Sequence, residues 1–366
     1  MRKNKKAKVL LVGAMITSLL LSGCGKKKEE TEVATTEAAV NVSSIASMEG
    51  AASDITVISR DGYVLSDLTG EWIEDKYANQ RPLCIMINNI SEAMPQSGIS
   101  QAAITFEILV EGGITRYLCV FDQYDNIEKL GPIRSARVPY VQLAQMFDGM
   151  FAHYGWSPTA QEMIENDSSI NTLNGIYLGE IMYYRDNSRS APHNVYTNKD
   201  LIASGIDYKG YDYSHSDNYE KMFSFNYKDT PLNSGNPATK IRTAFSEYYA
   251  PYFEYNSEDG RYYRYQYGVP QTDDVTGEQL SYKNVIVMFV EYTSDEDGYY
   301  RFVSWRDSNL NAYYCTDGEC VLVKWRMDNG VPMFYYEEDD KEITLNPGNT
   351  FVTVFDYTIP AAISIE

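Results

Sequence analysis

Two arginines, Arg134 and Arg137, stand three residues apart in the stretch GPIRSAR (131–137), with only Ser135 and Ala136 between them. A guanidinium is a planar fork of N–H donors that fits a carboxylate or a phosphate. Gly131-Pro132 opens a loop that delivers both groups to Pro139, a residue favoured in the first turn of a helix. A helix start adds free backbone N–H groups to fixed positive charge, and together they make a seat for an anion. The chain is otherwise acidic, with 51 Asp and Glu against 31 Lys and Arg and a net charge of −20. The arginine loop therefore serves either an anionic ligand or a structural cluster of ion pairs.

Other polar residues gather in the same region. Asn89, Glu107, Glu111, Arg116, His153, His193 and Asn194 join Arg134 and Arg137 as candidate ligand-binding residues, at the ends of predicted strands and in loops. Glu107, Glu111 and Arg116 lie on adjacent predicted strands and can instead pair with one another. His193 sits in APHN (191–194), where Pro192 holds Ala191 extended, and it can equally staple that turn by a hydrogen bond. A histidine with Glu107 or Glu111 has the chemistry of an acid–base pair, but the spacing selects none. No nucleophile elbow, H-E-x-x-H, P-loop or G-x-G-x-x-G occurs, so catalytic residues stay unassigned. With three His in the chain and none near Cys315, no metal site is expected, and no cofactor is implied.

These groups need a scaffold to position them. Residues 82–89 form a buried strand, and 103–121 form two strands around Gly112-Gly113. Residues 138–147 form a helix, 149–155 a strand, 158–166 a helix capped by Ser157, and 197–204 a further helix. After 224–240, where Pro, Gly, Asn and Ser cluster, the pattern turns to alternation rich in Tyr. Strands are expected in 261–268, 282–292, 299–305, 320–325 and 349–358. The fold class is α+β: an N-terminal α/β domain over 63–225 with a mixed sheet and flanking helices, then a mainly antiparallel β domain over 235–366. The tyrosine runs at 248–255 and 262–267 fit sheet faces better than a sugar-stacking platform. Cys84 and Cys119 lie inside apolar runs, as buried thiols do. Cys315 and Cys320 face each other across a predicted Asp317-Gly318 turn, so they are expected to form a disulfide.

The chain start bears on compartment. Arg2, Lys3, Lys5, Lys6 and Lys8 precede an apolar run, Val9–Leu21, in the layout of a secretory signal. It ends in Leu21-Ser22-Gly23-Cys24, which resembles the bacterial lipobox, where the cysteine is diacylglycerylated and becomes the new N-terminus. Residues 1–23 are thus the signal peptide, and 24–62 read as a disordered tether of small and charged residues. Cleavage removes five positive charges and takes the net charge from −20 to −25. So acidic a body is unsuited to nucleic acid, whose affinity comes mainly from Lys and Arg on phosphate. The membrane, through diacylglyceryl-Cys24, is the expected partner, and the location is extracytoplasmic, on the outer face of the cell membrane. No protein partner is indicated.

The segments RPLCIMINN, PQSGISQAAITFEILVEGGITR, GPIRSARVPY, HYGWSP and APHNVYT resemble, in order, the signature segments of the YerB-like lipoproteins of Gram-positive bacteria. The resemblance runs from about Leu68 to the C-terminus and is densest over 81–197. It implies two consecutive domains and no established activity. Asn88 stands where the family pattern carries Asp, and Trp156 where it carries a small residue. The expected function is binding of an anionic or carbohydrate-like cell-envelope ligand. The alternatives are a hydrolase or transferase acting on envelope polymers, and a protein-binding assembly factor.

Overall fold

The computed structural model describes residues 38–40, 57–232, 234–305, 309–359 and 362–366. The expected signal peptide, Cys24 and most of the 24–62 tether lie outside them. Within Met1–Ser59, Ala38–Val40 pairs antiparallel with Val57–Ser59, so cross-strand pairing gives these residues a structure that their composition does not favour. Residues 60–366 form a separate unit with its own sheets and core.

After a short hairpin that pairs Tyr63–Leu65 with Trp72–Glu74, the main sheet begins with β1 (Leu83–Asn88), β2 (Ile104–Leu109) and β3 (Thr115–Phe121). Gly112 and Gly113, both at positive φ, make the turn between β2 and β3, a conformation in which a side chain is strained. Helix α1 (Val138–Met146), β4 (Met150–His153), α2 (Pro158–Asn166), β5 (Thr172–Asn174), α3 (Gly175–Leu178) and α4 (Lys199–Lys209) come next. The expected cap on α2 is present: the Ser157 hydroxyl accepts from the Ala160 amide. Helix α4 begins at Lys199, with Asn198 as its N-cap accepting from the Leu201 amide.

The later strands are β6 (Asn236–Pro237), β7 (Lys240–Thr243), β8 (Tyr252–Asn256), β9 (Arg261–Gln266), β10 (Val269–Pro270) and β11 (Ser281–Tyr282). Then come β12 (Asn284–Ser294), β13 (Arg301–Ser304), β14 (Leu310–Thr316), β15 (Glu319–Asp328), β16 (Val331–Tyr335), β17 (Thr350–Asp356) and β18 (Ile363–Ile365). The α+β class is as expected, with a mixed sheet early and antiparallel pairing dominant later. One sheet nevertheless draws on both halves of the chain, in the order β6-β15-β14-β12-β17-β2-β3-β1-β4-β5. The join is β17, parallel to both β12 and β2, with Thr350 opposite Ile104. A second sheet, β10-β9-β8-β7-β18, holds the tyrosine runs, with the Tyr252 and Tyr265 rings stacked 4.7 Å apart. In the β14–β15 hairpin Thr316 faces Glu319, and Cys315 and Cys320 are disulfide-bonded with Cα atoms 4.1 Å apart.

Two apolar clusters build the core. One includes Phe106, Tyr140, Phe147 and Trp325, and the other Tyr117, Phe253, Tyr282 and Phe351. β1 and β3 are buried along their whole length, so only their ends reach groups outside the core.

Candidate functional site

In the β1–β3 pair Asn88 faces Arg116, and Leu83 faces Phe121. GPIRSAR runs past the Asn88 end of β1, with the Arg134 amide bonded to the Met86 carbonyl at 3.0 Å and the Asn88 amide to the Pro132 carbonyl at 2.9 Å. Only glycine fits at 131: a Cβ there would lie 2.7 Å from the Tyr196 ring and 2.8 Å from the Val195 carbonyl. The loop therefore delivers Arg134 and Arg137 to the same strand end as Arg116.

There Arg116 and Arg137 share one acid, with the Arg134 charge nearby. Arg137 grips Glu111 through two nitrogens, with Nε 2.8 Å from Oε2, and its Nη1 donates to the Ala136 carbonyl at 2.8 Å. Arg116 reaches the same carboxylate at 3.1 Å and also donates to the Ser135 carbonyl. Burial pushes the Glu111 carboxyl up, but the Arg137 hydrogen bond and the Arg116 and Arg137 charges outweigh it, and the net shift is downward. Burial, and then repulsion from Arg137, pull Arg116 down to about 9 despite Glu111. Arg134 is lowered by the same two causes. Among the described residues its side chain makes one hydrogen bond, from Nη1 to the Pro192 carbonyl, long at 3.4 Å, and its buried Nε has no partner. The cluster thus holds three guanidinium groups against one carboxylate, and Arg134 is the least engaged. Helix α1 adds little: Pro139 has no N–H, and the amides of Tyr140 and Val141 both donate to the Arg137 carbonyl. The expected set of free helix N–H groups is absent at this end.

The remaining candidates do not share one concavity. His153 is fully buried, bonded to the Gly155 carbonyl at 2.7 Å and the Thr172 hydroxyl at 2.8 Å, and burial pulls it down to about 4. Trp156 lies against it, ring centroids 5.9 Å apart. His193 stays at the arginine end, its Nδ1 2.7 Å from Asn88 Nδ2, and is lowered by burial and then by Arg134. Asn194 accepts from Arg185 at 2.7 Å, and Arg185 lines a cavity of about 540 Å³ with Tyr154, Tyr183 and Asn187.

Asn89 and Glu107 are sealed inside the molecule. Glu107 takes hydrogen bonds from Arg264 (2.8 Å), the Tyr249 hydroxyl (2.5 Å), the Thr115 hydroxyl (2.8 Å) and Asn89 (3.1 Å). Neither Glu107 nor Arg264 is exposed to solvent. Such a network ties the two halves of the chain together and leaves Glu107 unavailable to a ligand. Asp273, also buried, holds the PQSGIS segment by accepting from the amides of Gly98 (2.9 Å) and Ser100 (2.8 Å). Arg264, Tyr249 and Asp273 were not legible as partners, since each lies more than a hundred residues from the group it binds. The buried thiols of Cys84 and Cys119 are both pushed up by burial, Cys119 to about 12, which suppresses thiolate chemistry. Among the described residues no group of three or more His, Cys, Asp or Glu could hold a metal ion.

Comparison with known proteins finds two consecutive family matches. Residues 68–212 match the family "Protein of unknown function (DUF3048) N-terminal domain", and residues 241–352 its "C-terminal domain". The Bacillus subtilis (strain 168) protein named "Putative lipoprotein YerB" is 31% identical over 307 residues, covering 81% of this chain and 88% of its own length. The crystal structure of YerB protein from Bacillus subtilis superposes with a TM-score of 0.74 at 28% identity, covering 83% of this chain and 99% of that one.

Proposed function

The chain belongs to the DUF3048 family of YerB-like proteins, and on that premise we propose that it is a membrane-anchored lipoprotein that binds an anionic cell-envelope ligand through Arg134. The relative's name and the Leu21-Ser22-Gly23-Cys24 motif support the anchor. Diacylglyceryl-Cys24 holds the protein on the outer face of the membrane, and the acidic body stays off anionic lipid by charge repulsion.

A single observation carries the ligand class: three guanidinium groups lie around one carboxylate, which is bonded to Arg116 and Arg137, and the buried Nε of the third, Arg134, has no partner among the described residues. A bound carboxylate or phosphate would supply the missing acceptor and relieve the mutual repulsion of Arg116, Arg134 and Arg137. The net negative charge elsewhere disfavours loose anion binding, so selectivity comes from this one positive place. The acid–base alternative is weaker, because His153 is sealed and Glu107 is committed to Arg264.

Calorimetric titration of the detergent-solubilised full chain with inorganic pyrophosphate tests this. Saturable binding is expected, weakening with salt, with Arg134→Ala costing about 2 kcal/mol of affinity. Equal binding by wild type and Arg134→Ala would refute it.

A further inference from the structure

A second site is suggested at the other end of β3. Asp122 and Gln123, just past that end, line a cavity of about 640 Å³, within the range of roughly 300–1,000 Å³ usual for small-molecule sites. Glu71 and Trp72 form one wall, and Arg261 and Asn349 another, while Tyr227 comes from the segment between the two family matches. Residues from six separate stretches of chain meet here.

The groups are held in place, yet one is left without a partner. Arg261 donates from Nε to the Ser281 hydroxyl at 2.8 Å, and from Nη2 to the Ser281 carbonyl at 2.9 Å and Asn349 Oδ1 at 2.7 Å. Asp122 accepts from the Ser66 hydroxyl. The Glu71 carboxylate takes no hydrogen bond from any described residue. Burial pushes both carboxyls up, and Asp122 pushes Glu71 further, against the opposing pull of Arg261. Glu71 is exposed and Asp122 half-buried, so two acids stand at one cavity beside a single arginine.

The lining narrows the ligand. An anion meets two acids against one arginine. A metal ion lacks the three-ligand group it needs among the described residues. An apolar ligand would strand the amides and carboxylates unpaired. A neutral, hydroxyl-rich ligand satisfies all of them: carboxylates accept hydroxyl protons, amides donate and accept, and aromatic rings cover the apolar faces of sugar rings. We infer that this cavity is a binding site for a neutral saccharide segment, with Trp72 and Tyr227 as ring platforms and Glu71 and Asp122 as hydroxyl acceptors. The site stands apart from Arg134, beyond the opposite end of β3.

The test is fluorescence and calorimetric titration of the full chain in detergent with cellotetraose, the N-acetylglucosamine tetramer and the cationic glucosamine tetramer. At least one neutral oligomer should bind saturably. Trp72→Ala and Glu71→Gln should each weaken it about tenfold or more, and Arg134→Ala should leave it unchanged. Affinity should fall as pH is lowered through the range where the raised carboxyls protonate, and Glu71→Gln should flatten that fall. If Trp72→Ala does not fold, Glu71→Gln and Gln123→Ala carry the comparison. Failure of both neutral oligomers to bind at millimolar concentration would overturn the inference. So would binding of the cationic oligomer alone, or binding undiminished by folded Glu71→Gln and Gln123→Ala.

Discussion

β3 carries opposite chemistry at its two ends. Near its start, Arg116 lies with Arg134 and Arg137 around one acid, Glu111. Just past its end, Asp122 and Glu71 share a cavity with one arginine, Arg261. The two places are about 20 Å apart along a strand rising about 3.3 Å per residue. In each, the majority charge is the one the fold disfavours: Arg116 and Arg134 are pulled down, while Glu71 and Asp122 are pushed up. The difference lies in access. At the arginine end protein partners occupy two of the three groups, and what remains is a local demand for an acceptor. At the carboxylate end there is open volume with donors and acceptors mixed. Charge alone does not distinguish a structural cluster from a site; the groups left unsatisfied do.

The largest expected effect is on Glu111. Glu111→Gln leaves Arg116 and Arg137 buried without their counter-charge and should cost about 3–5 kcal/mol of stability by chemical denaturation. Because the Glu111 carboxyl is lowered by folding, its contribution is present above the usual carboxylate range and is lost as pH falls through the lower folded value. Retention of wild-type stability by Glu111→Gln would show that the two arginines do not depend on it.

His153 gives the next effect. Its folded value, about 4, lies below the ordinary 6.5. Above about 6.5 both states are neutral. As pH falls from there toward 4, the unfolded chain takes up a proton that the folded one refuses, and stability drops by on the order of 3 kcal/mol. His153→Phe, if folded, should flatten that part of the stability–pH curve; an unchanged slope would move its origin to other groups.

The smallest effect should come from Glu71. Its raised carboxyl means that ionisation opposes folding, with the stabilising contribution present below the usual carboxylate range and lost as pH rises through the folded value. Glu71→Gln should leave the melting temperature at neutral pH unchanged or slightly higher, the reverse of Glu111→Gln. A clear loss would make Glu71 a structural group and erase the contrast.

Local features of this layout were legible in the sequence. The Ser157 cap, the paired glycines between β2 and β3, and the Asp317-Gly318 turn each depend on neighbours a few residues away. The sequence left open whether Glu107 or Glu111 pairs with Arg116, and the structure gives Glu111, from the turn between β2 and β3. Glu107, by contrast, pairs with Arg264, 157 residues on, and nothing in the periodicity of either strand announces its partner. The same holds for β17, which inserts between β12 and β2 and merges the two halves into one sheet. The cavity at Asp122 was invisible for that reason, since six distant stretches build it.

The most direct measurement of the arginine claim is a crystal of the protein soaked in tungstate, an anion located by its anomalous signal. The expected result is a bound ion within hydrogen-bond distance of Arg134 Nε, and none in the cavity between Glu71 and Asp122. An empty arginine end, with Arg134 held by protein carbonyls alone, or an ion seated instead against Arg261, would contradict it.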